Sequence, residues 1–349
     1  MKKTIPIQVF FELADRYPVV DVRSPAEFEH GHFPGAYSIP LFSDEERAII
    51  GTTYTEQNPE KALKEGLKIV GPKMVSFVEM ARKIARANTL LLYCWRGGKR
   101  SHSMAWLFET AGMNVYVLEG GYRAYRKHLK ASFRKPLPMI IVGGMTGSGK
   151  TEILSTLQKR GEQVIDLEGL ANHKGSVFGS LGQAKQPTTE QFENNLFLVW
   201  NRLNPHKTTW IEDESKAIGR VYIPDELFNQ MKTAPLIDIA LNRSYRIERL
   251  VRDYAGFNME DLIVSVQKIE RRLGGLNARR CIEAIRNKNF PKAADILLYY
   301  YDKTYRHAMS THPRENIIQV DLPGNDPDVN AEIILSKIRE IQGISCNPS

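Results

Sequence analysis

The chain has 349 residues, 42% of them hydrophobic and 25% charged, with three cysteines and a formal net charge of +8 at neutral pH. That length exceeds what a single core supports and predicts two domains, while an odd cysteine count without CxxC spacing excludes a disulfide framework and a zinc-ribbon site. Pro6, Gln8 and Glu12 break the N-terminal apolar stretch and no apolar run of about 20 residues follows, so the expectation is a soluble cytoplasmic protein with no membrane partner.

The charge is unevenly spread. Residues 1–135 hold 21 Lys and Arg against 14 Asp and Glu, whereas the remainder holds 27 against 26. Between Arg82 and Lys135, 12 cations face only Glu109 and Glu119. Such a concentration predicts a polyanionic substrate, either a nucleic acid or a phosphorylated compound.

In chain order, Val19 to Val22 reads as a short strand, and Ser24-Pro25 opens a helix. A turn-rich link, His30 to Ala36, leads into a polar insert at 44–71 that reads as mixed helix and loop. Leu90 to Tyr93 is a buried strand that delivers Cys94, after which come Arg96, Gly97, Gly98, Lys99 and Arg100; Ser101 then opens a helix. Cations and a helix N-terminus stabilise a thiolate, so Cys94 is the candidate nucleophile, with Arg96 and Arg100 expected to ring an oxyanion above the sulfur.

Arg123 to Lys135 is a basic helical stretch ended by Pro136 and Pro138. The strand Met139 to Val142 then runs into Gly144-Met-Thr-Gly147-Ser148-Gly149-Lys150-Thr151, the GxxxxGK[ST] phosphate loop in its strand–loop–helix setting. The glycines let backbone N–H groups face an anion, Lys150 supplies a point charge, and the Thr151 hydroxyl is a candidate Mg²⁺ ligand.

Further strands at Val164 to Leu167, Thr208 to Ile211, Leu236 to Leu241 and Ile317 to Val320 complete a parallel sheet. Thr188 caps a helix whose Phe192, Leu196, Val199, Trp200 and Leu203 form a core stripe. At the end of the third strand Asp213, then Glu212, is the candidate second Mg²⁺ ligand. Asp166, His173 and Lys174 lie in a glycine-bearing loop at the sheet's carboxyl edge and are candidate substrate contacts.

Arg243, Arg246, Arg249 and Arg252 recur every third residue. The i,i+4 pairs Glu248–Arg252 and Arg249–Asp253 would make half of that stripe a solvated face, leaving Arg243 and Arg246 as candidates to reach phosphate or RNA. Arg271-Arg272 and Arg279-Arg280 carry the same ambiguity. Cys281 is expected to be an inert core thiol and Cys346 to sit in a polar tail.

Two resemblances add to this reading. The segment from Asp21 to Pro40, the cysteine loop and Leu118-Glu119-Gly120-Gly121-Tyr122 resemble a rhodanese domain, although Cys94-x5-Arg100 is one residue longer than the usual sulfurtransferase loop and matches rhodanese-like phosphatases. Together with the phosphate loop and the segments DLEGLANHKGSVFG and WIEDES, the chain resembles the tRNA 2-selenouridine synthase family over nearly its whole length. That resemblance implies an α/β architecture: a rhodanese-like domain at 1–130, a linker at 131–138 and a P-loop NTPase-like parallel-sheet domain at 139–349. It also implies conversion of wobble 2-thiouridine in tRNA to 2-selenouridine, with selenophosphate and geranyl diphosphate as co-substrates and no tightly bound cofactor. An ATP-dependent sulfurtransferase or kinase, or an RNA-binding protein without turnover, are the alternatives. Oligomeric state is left open.

Overall fold

The computed structural model describes residues 3–310 and 317–341, so Cys346 lies outside the described residues. The chain divides into two units, the first running to Ser132 and also taking in Glu193–Leu198, the second holding Phe133–Phe192 and resuming at Val199.

The first unit is built on five parallel strands, β1 (Thr4–Ile5), β2 (Val19–Asp21), β3 (Tyr37–Ser38), β4 (Thr89–Tyr93) and β5 (Asn114–Leu118), in the order β1-β5-β4-β2-β3. All five residues of β4 are buried, as a central strand covered on both faces requires. Leu90 and Leu92 face a core with Phe77, Met104 and Phe108, while Tyr93 stacks on Tyr122 on the other side.

The insert is helical almost throughout, with helices Asp44–Thr52 and Pro59–Val70 joined by a π-helical turn at Thr53–Gln57, and a 3-10 turn at Gly71–Lys73 leads on to the helix Met74–Ile84. Local caps explain the difference from the expected mixture. Ser43 and Glu46 form a capping box, and Asn58 caps the second helix ahead of Pro59. A second difference is the discontinuous boundary. The Phe197 ring lies 5.5 Å from Phe11, 5.8 Å from Tyr125 and 5.9 Å from His128, which draws residues of the Thr188-capped helix, Thr189–Trp200, into the first unit's core.

The second unit carries β6 (Met139–Gly144), β7 (Gln163–Ile165), β8 (Thr209–Glu212), the short antiparallel pair β9 (Ala217–Ile218) and β10 (Val221–Tyr222), then β11 (Leu236–Leu241) and β12 (Ile317–Leu322). Its main sheet is parallel, in the order β12-β11-β6-β8-β7. The phosphate-loop strand β6 is therefore central: the connection leaving it runs to one side of the sheet, to β7, whereas the chain leaving β8 crosses to the other side, to β11, and the crevice at such a reversal is where these sheets bind ligands. The helices Lys150–Lys159 and Pro327–Ile341 bury Ile153, Leu154, Leu157, Ile334 and Ile338 in one core against this sheet.

Between β11 and β12 stands a helical module, Arg243–Tyr254, Met259–Lys268, Glu270–Leu273, Gly275–Arg286 and Phe290–Ser310, with its own core around Leu262, Val266, Ala278, Cys281 and Leu297. Burial there pushes the Cys281 thiol up to about 12, consistent with an inert thiol. No helix among the described residues is long and apolar enough to cross a membrane.

Candidate active sites

In the first unit Cys94 sits at the carboxyl end of β4, buried, with its Sγ 3.3 Å from the Gly98 N–H and 3.3 Å from the Ser101 hydroxyl. The following helix starts at Lys99, two residues earlier than expected, because Gly98 serves as its N-cap. What fixes the loop from below is the segment after β5: Tyr122 N–H donates to the Cys94 carbonyl at 2.9 Å, and Arg123 N–H to that of Trp95 at 3.0 Å. Gly121, at φ +59°, has no room for a side chain, since a Cβ there would stand 2.2 Å from the Cys94 carbonyl oxygen.

The two arginines of this loop are placed differently. Arg96 is exposed. Arg100 is instead committed to Glu27, which accepts from it at 2.6 and 3.2 Å, with Arg47 of the insert 3.8 Å from the same carboxylate. Burial pushes the Glu27 carboxyl up, but the Arg100 hydrogen bond and charge and the Ser24 N–H outweigh it and hold the group below the usual range. Glu27 was not a sequence candidate, and only its place in the Asp21 to Pro40 segment could have signalled it.

In the second unit the phosphate loop joins β6 to the helix at Lys150. Lys150 Nζ donates to the Gly144 carbonyl at 3.1 Å, and the Ser148 hydroxyl is buried without a hydrogen-bond partner. Thr151 donates to Glu212 at 2.8 Å and to Glu168 at 3.2 Å. Glu168, Glu212 and Glu214 each offer an oxygen within 4.8 Å of the others, and Glu212 Oε2 has no hydrogen-bond partner. Burial first, then mutual repulsion, pushes Glu212 up to about 8 and Glu168 and Glu214 up to about 7. Three crowded, destabilised carboxylates beside a threonine hydroxyl match the hard oxygen donors that Mg²⁺ takes.

Asp213, the first-choice ligand, is not part of this group. Strand alternation turns it away from Thr151, so that its carboxylate lies near Gly143 and Tyr305, and Glu212 takes the expected place. Asp166 caps the helix Leu167–Ala171 by accepting from Gly169 N–H at 2.7 Å. His173 lies in the next loop with a buried, unpartnered Nδ1 and a pKa lowered by burial, and Lys174 is exposed.

The expected i,i+4 pairs of the arginine stripe give way to longer-range ones. Arg246 is buried, donates to the Thr146 carbonyl at 2.8 Å and pairs with Asp302; Arg243 pairs with Asp295 at 2.7 Å. Arg249 and Arg252 both bind Glu152 on the phosphate-loop helix. Arg246 and Arg249 thus brace the loop, and Arg243 is held by the helical module. All four face acids because the helix Arg243–Tyr254 meets Glu152 of the helix Lys150–Lys159 on one side and Asp295 and Asp302 of the helix Phe290–Ser310 on the other.

Thr146 also lines an almost entirely apolar pocket, together with Phe178, Leu262, Phe290, Leu297 and Tyr301. Nothing in the sequence marked it, since its wall residues are spread over more than 120 positions and read individually as core.

Residues 137–323, more than half the chain, match the family model described as the tRNA 2-selenouridine synthase AAA domain, and residues 12–128 match the rhodanese-like domain. The chain belongs to the tRNA 2-selenouridine synthase family. It is 35% identical over 249 residues to the tRNA 2-selenouridine synthase of Nitrosomonas europaea, which covers 68% of this chain and 63% of that one. To its counterpart in Shewanella sp. (strain MR-7) it is 36% identical over 302 residues, covering 78% and 79%. With the Shewanella denitrificans member of the family the match extends over 358 residues at 32% identity, 92% of this chain and 96% of the other.

Proposed function

We propose that this chain modifies the wobble 2-thiouridine of tRNA to 2-selenouridine in two steps, geranylation of the sulfur followed by its replacement with selenium. The observation that carries the first step is the apolar pocket that Thr146 of the phosphate loop helps to line. The hydroxyls in its lining, Ser176, Tyr254 and Tyr301, are engaged with one another and with the Val177 N–H, so the surface left facing the pocket is apolar and suits a hydrocarbon better than a nucleotide base. A hydrocarbon chain ending in a diphosphate suits both halves.

In this reading the diphosphate of geranyl diphosphate rests on Gly144, Gly147, Ser148, Gly149 and Lys150. The thiouridine sulfur attacks the first carbon of the geranyl group, the carbon–oxygen bond breaks, pyrophosphate leaves with the electron pair, and the base loses a proton. Lys150 and the loop N–H groups stabilise the departing charge. Thr151, Glu168, Glu212 and Glu214 would hold Mg²⁺, which supplies further positive charge to the leaving group when bound. S-alkylation makes the ring carbon electrophilic. Selenium of selenophosphate, positioned at the Cys94 loop, adds to that carbon, geranylthiolate departs, and water takes the phosphoryl group.

The test is to incubate the protein with 2-thiouridine tRNA, geranyl diphosphate and selenophosphate and weigh the digested nucleosides by mass spectrometry. The expected product is 2-selenouridine. Lys150→Ala should stop geranylation, and Cys94→Ser should stop selenation while the geranylated nucleoside accumulates. Substrate-stimulated ATP turnover without geranyl transfer would overturn the reading in favour of an ATP-dependent sulfurtransferase or kinase.

A further inference from the structure

The helical module has two faces of opposite character. Its inner face supplies the walls of the apolar pocket through Leu262, Phe290 and Leu297. Its outer face collects charge. From Lys268 to Lys292 the chain carries eight Lys and Arg against only Glu270 and Glu283. Residues 136–349 as a whole hold 27 cations against 26 acids; without this stretch they hold 19 against 24. The positive charge of the second half is therefore gathered here.

Helical geometry fixes its direction. In Gly275–Arg286 the residues Ala278, Cys281, Ala284 and Ile285 are buried, so Arg279 and Arg286, seven residues or two turns apart, share the opposite side. They line one groove with Ile282, Glu283 and Asn287. All eight cations are exposed, and none makes an ion pair among the described residues. The contrast with the neighbouring helix is sharp: Arg243, Arg246, Arg249 and Arg252 are each paired to a carboxylate. Exposed cations left unpaired and segregated repel one another, a cost that a polyanion removes.

We propose that the outer face of this module, centred on Arg279 and Arg286, is the docking surface for the phosphate backbone of the tRNA. The inference rests on the function proposed above. Its cations are spaced for a chain of phosphates rather than for one small anion, and backbone contacts of this kind position an RNA without reading its sequence. Binding through them releases counterions, so affinity falls steeply with salt.

The experiment measures binding of 2-thiouridine tRNA by fluorescence anisotropy across a salt series, for the full-length wild type and for the double variant Arg279→Glu, Arg286→Glu. The control reverses two exposed lysines elsewhere in the second unit, Lys159→Glu and Lys207→Glu. The double variant should melt like wild type, lose at least about tenfold in affinity, and show a salt slope smaller by about 2, one per lost phosphate contact. In turnover its KM for tRNA should rise while kcat is kept. Wild-type affinity and slope in the double variant, an equal loss in the control, or stable capture of an acidic protein in place of tRNA would each overturn the proposal. Failure of the functional reading looks different: the wild type would bind tRNA with this salt dependence yet convert none of its 2-thiouridine.

Discussion

Glu212 and Asp213 are adjacent in sequence and opposite in placement, because a strand sends successive side chains to opposite faces. Glu212 reaches Thr151 at 2.8 Å, whereas Asp213 turns toward Tyr305. Glu212→Gln should therefore weaken Mg²⁺ binding by at least about tenfold, read as the Mg²⁺-induced rise in melting temperature, while Asp213→Asn leaves that rise in place. Glu27 gives a pH prediction in the first unit. Its folded pKa lies below the ordinary glutamate value, so the stability it contributes is present in full above that ordinary value and is lost as the pH falls through the folded pKa. Arg100→Ala removes the partner that lowers it. The melting temperatures of wild type and Arg100→Ala should differ at pH 7 and converge on acidification toward pH 3; a gap that stays constant would show that Glu27 does not titrate with this pair.

At the scale of elements, two glycines hold the two candidate loops. A Cβ at Gly149, where φ is +85°, would meet the Arg249 guanidinium at 2.5 to 2.7 Å, and Arg249 is itself tied to Glu152 and Asn325. Gly149→Ala should cost diphosphate binding and about 1–3 kcal/mol of stability, measurable by calorimetry. Gly121→Ala should displace the Cys94 carbonyl and depress selenation while sparing geranylation, checked by the same nucleoside mass analysis. The strands and loops behind these sites were legible because runs such as Leu90 to Tyr93 and GMTGSGKT encode local geometry. The choice of Glu212 over Asp213 at Thr151, the Glu27 partner of Arg100 and the true partners of the arginine stripe were not. Each depends on which face a side chain takes or on contacts between residues tens of positions apart, and helical periodicity favoured nearer partners that the packing does not use. The insert at 44–71 differs for another reason: its low apolar content hid how much of it is helix, two helices set by the caps at Ser43 and Asn58.

For the molecule as a whole, the segment Glu193–Leu198 belongs by contact to the first unit although the sequence places it in the second half. The periodic pattern did not show this, since Leu196 reads as ordinary core in the stripe from Phe192 to Leu203 and Phe197 lies outside that stripe. Phe197 is fully buried beside Phe11 and Tyr125. Phe197→Ala should cost about 3–5 kcal/mol, seen as a lower unfolding temperature of the rhodanese-like unit by differential scanning calorimetry.

Thr146 belongs at once to the phosphate loop and to the lining of the apolar pocket. In the geranyl transfer proposed above, a prenyl diphosphate held at the phosphate loop would run its tail into this pocket, and a fifteen-carbon tail would need more room there than a ten-carbon one or lift its head group away. Discrimination between the two would then appear in the rate of transfer more than in occupancy, so the longer diphosphate should compete for the protein and react slowly.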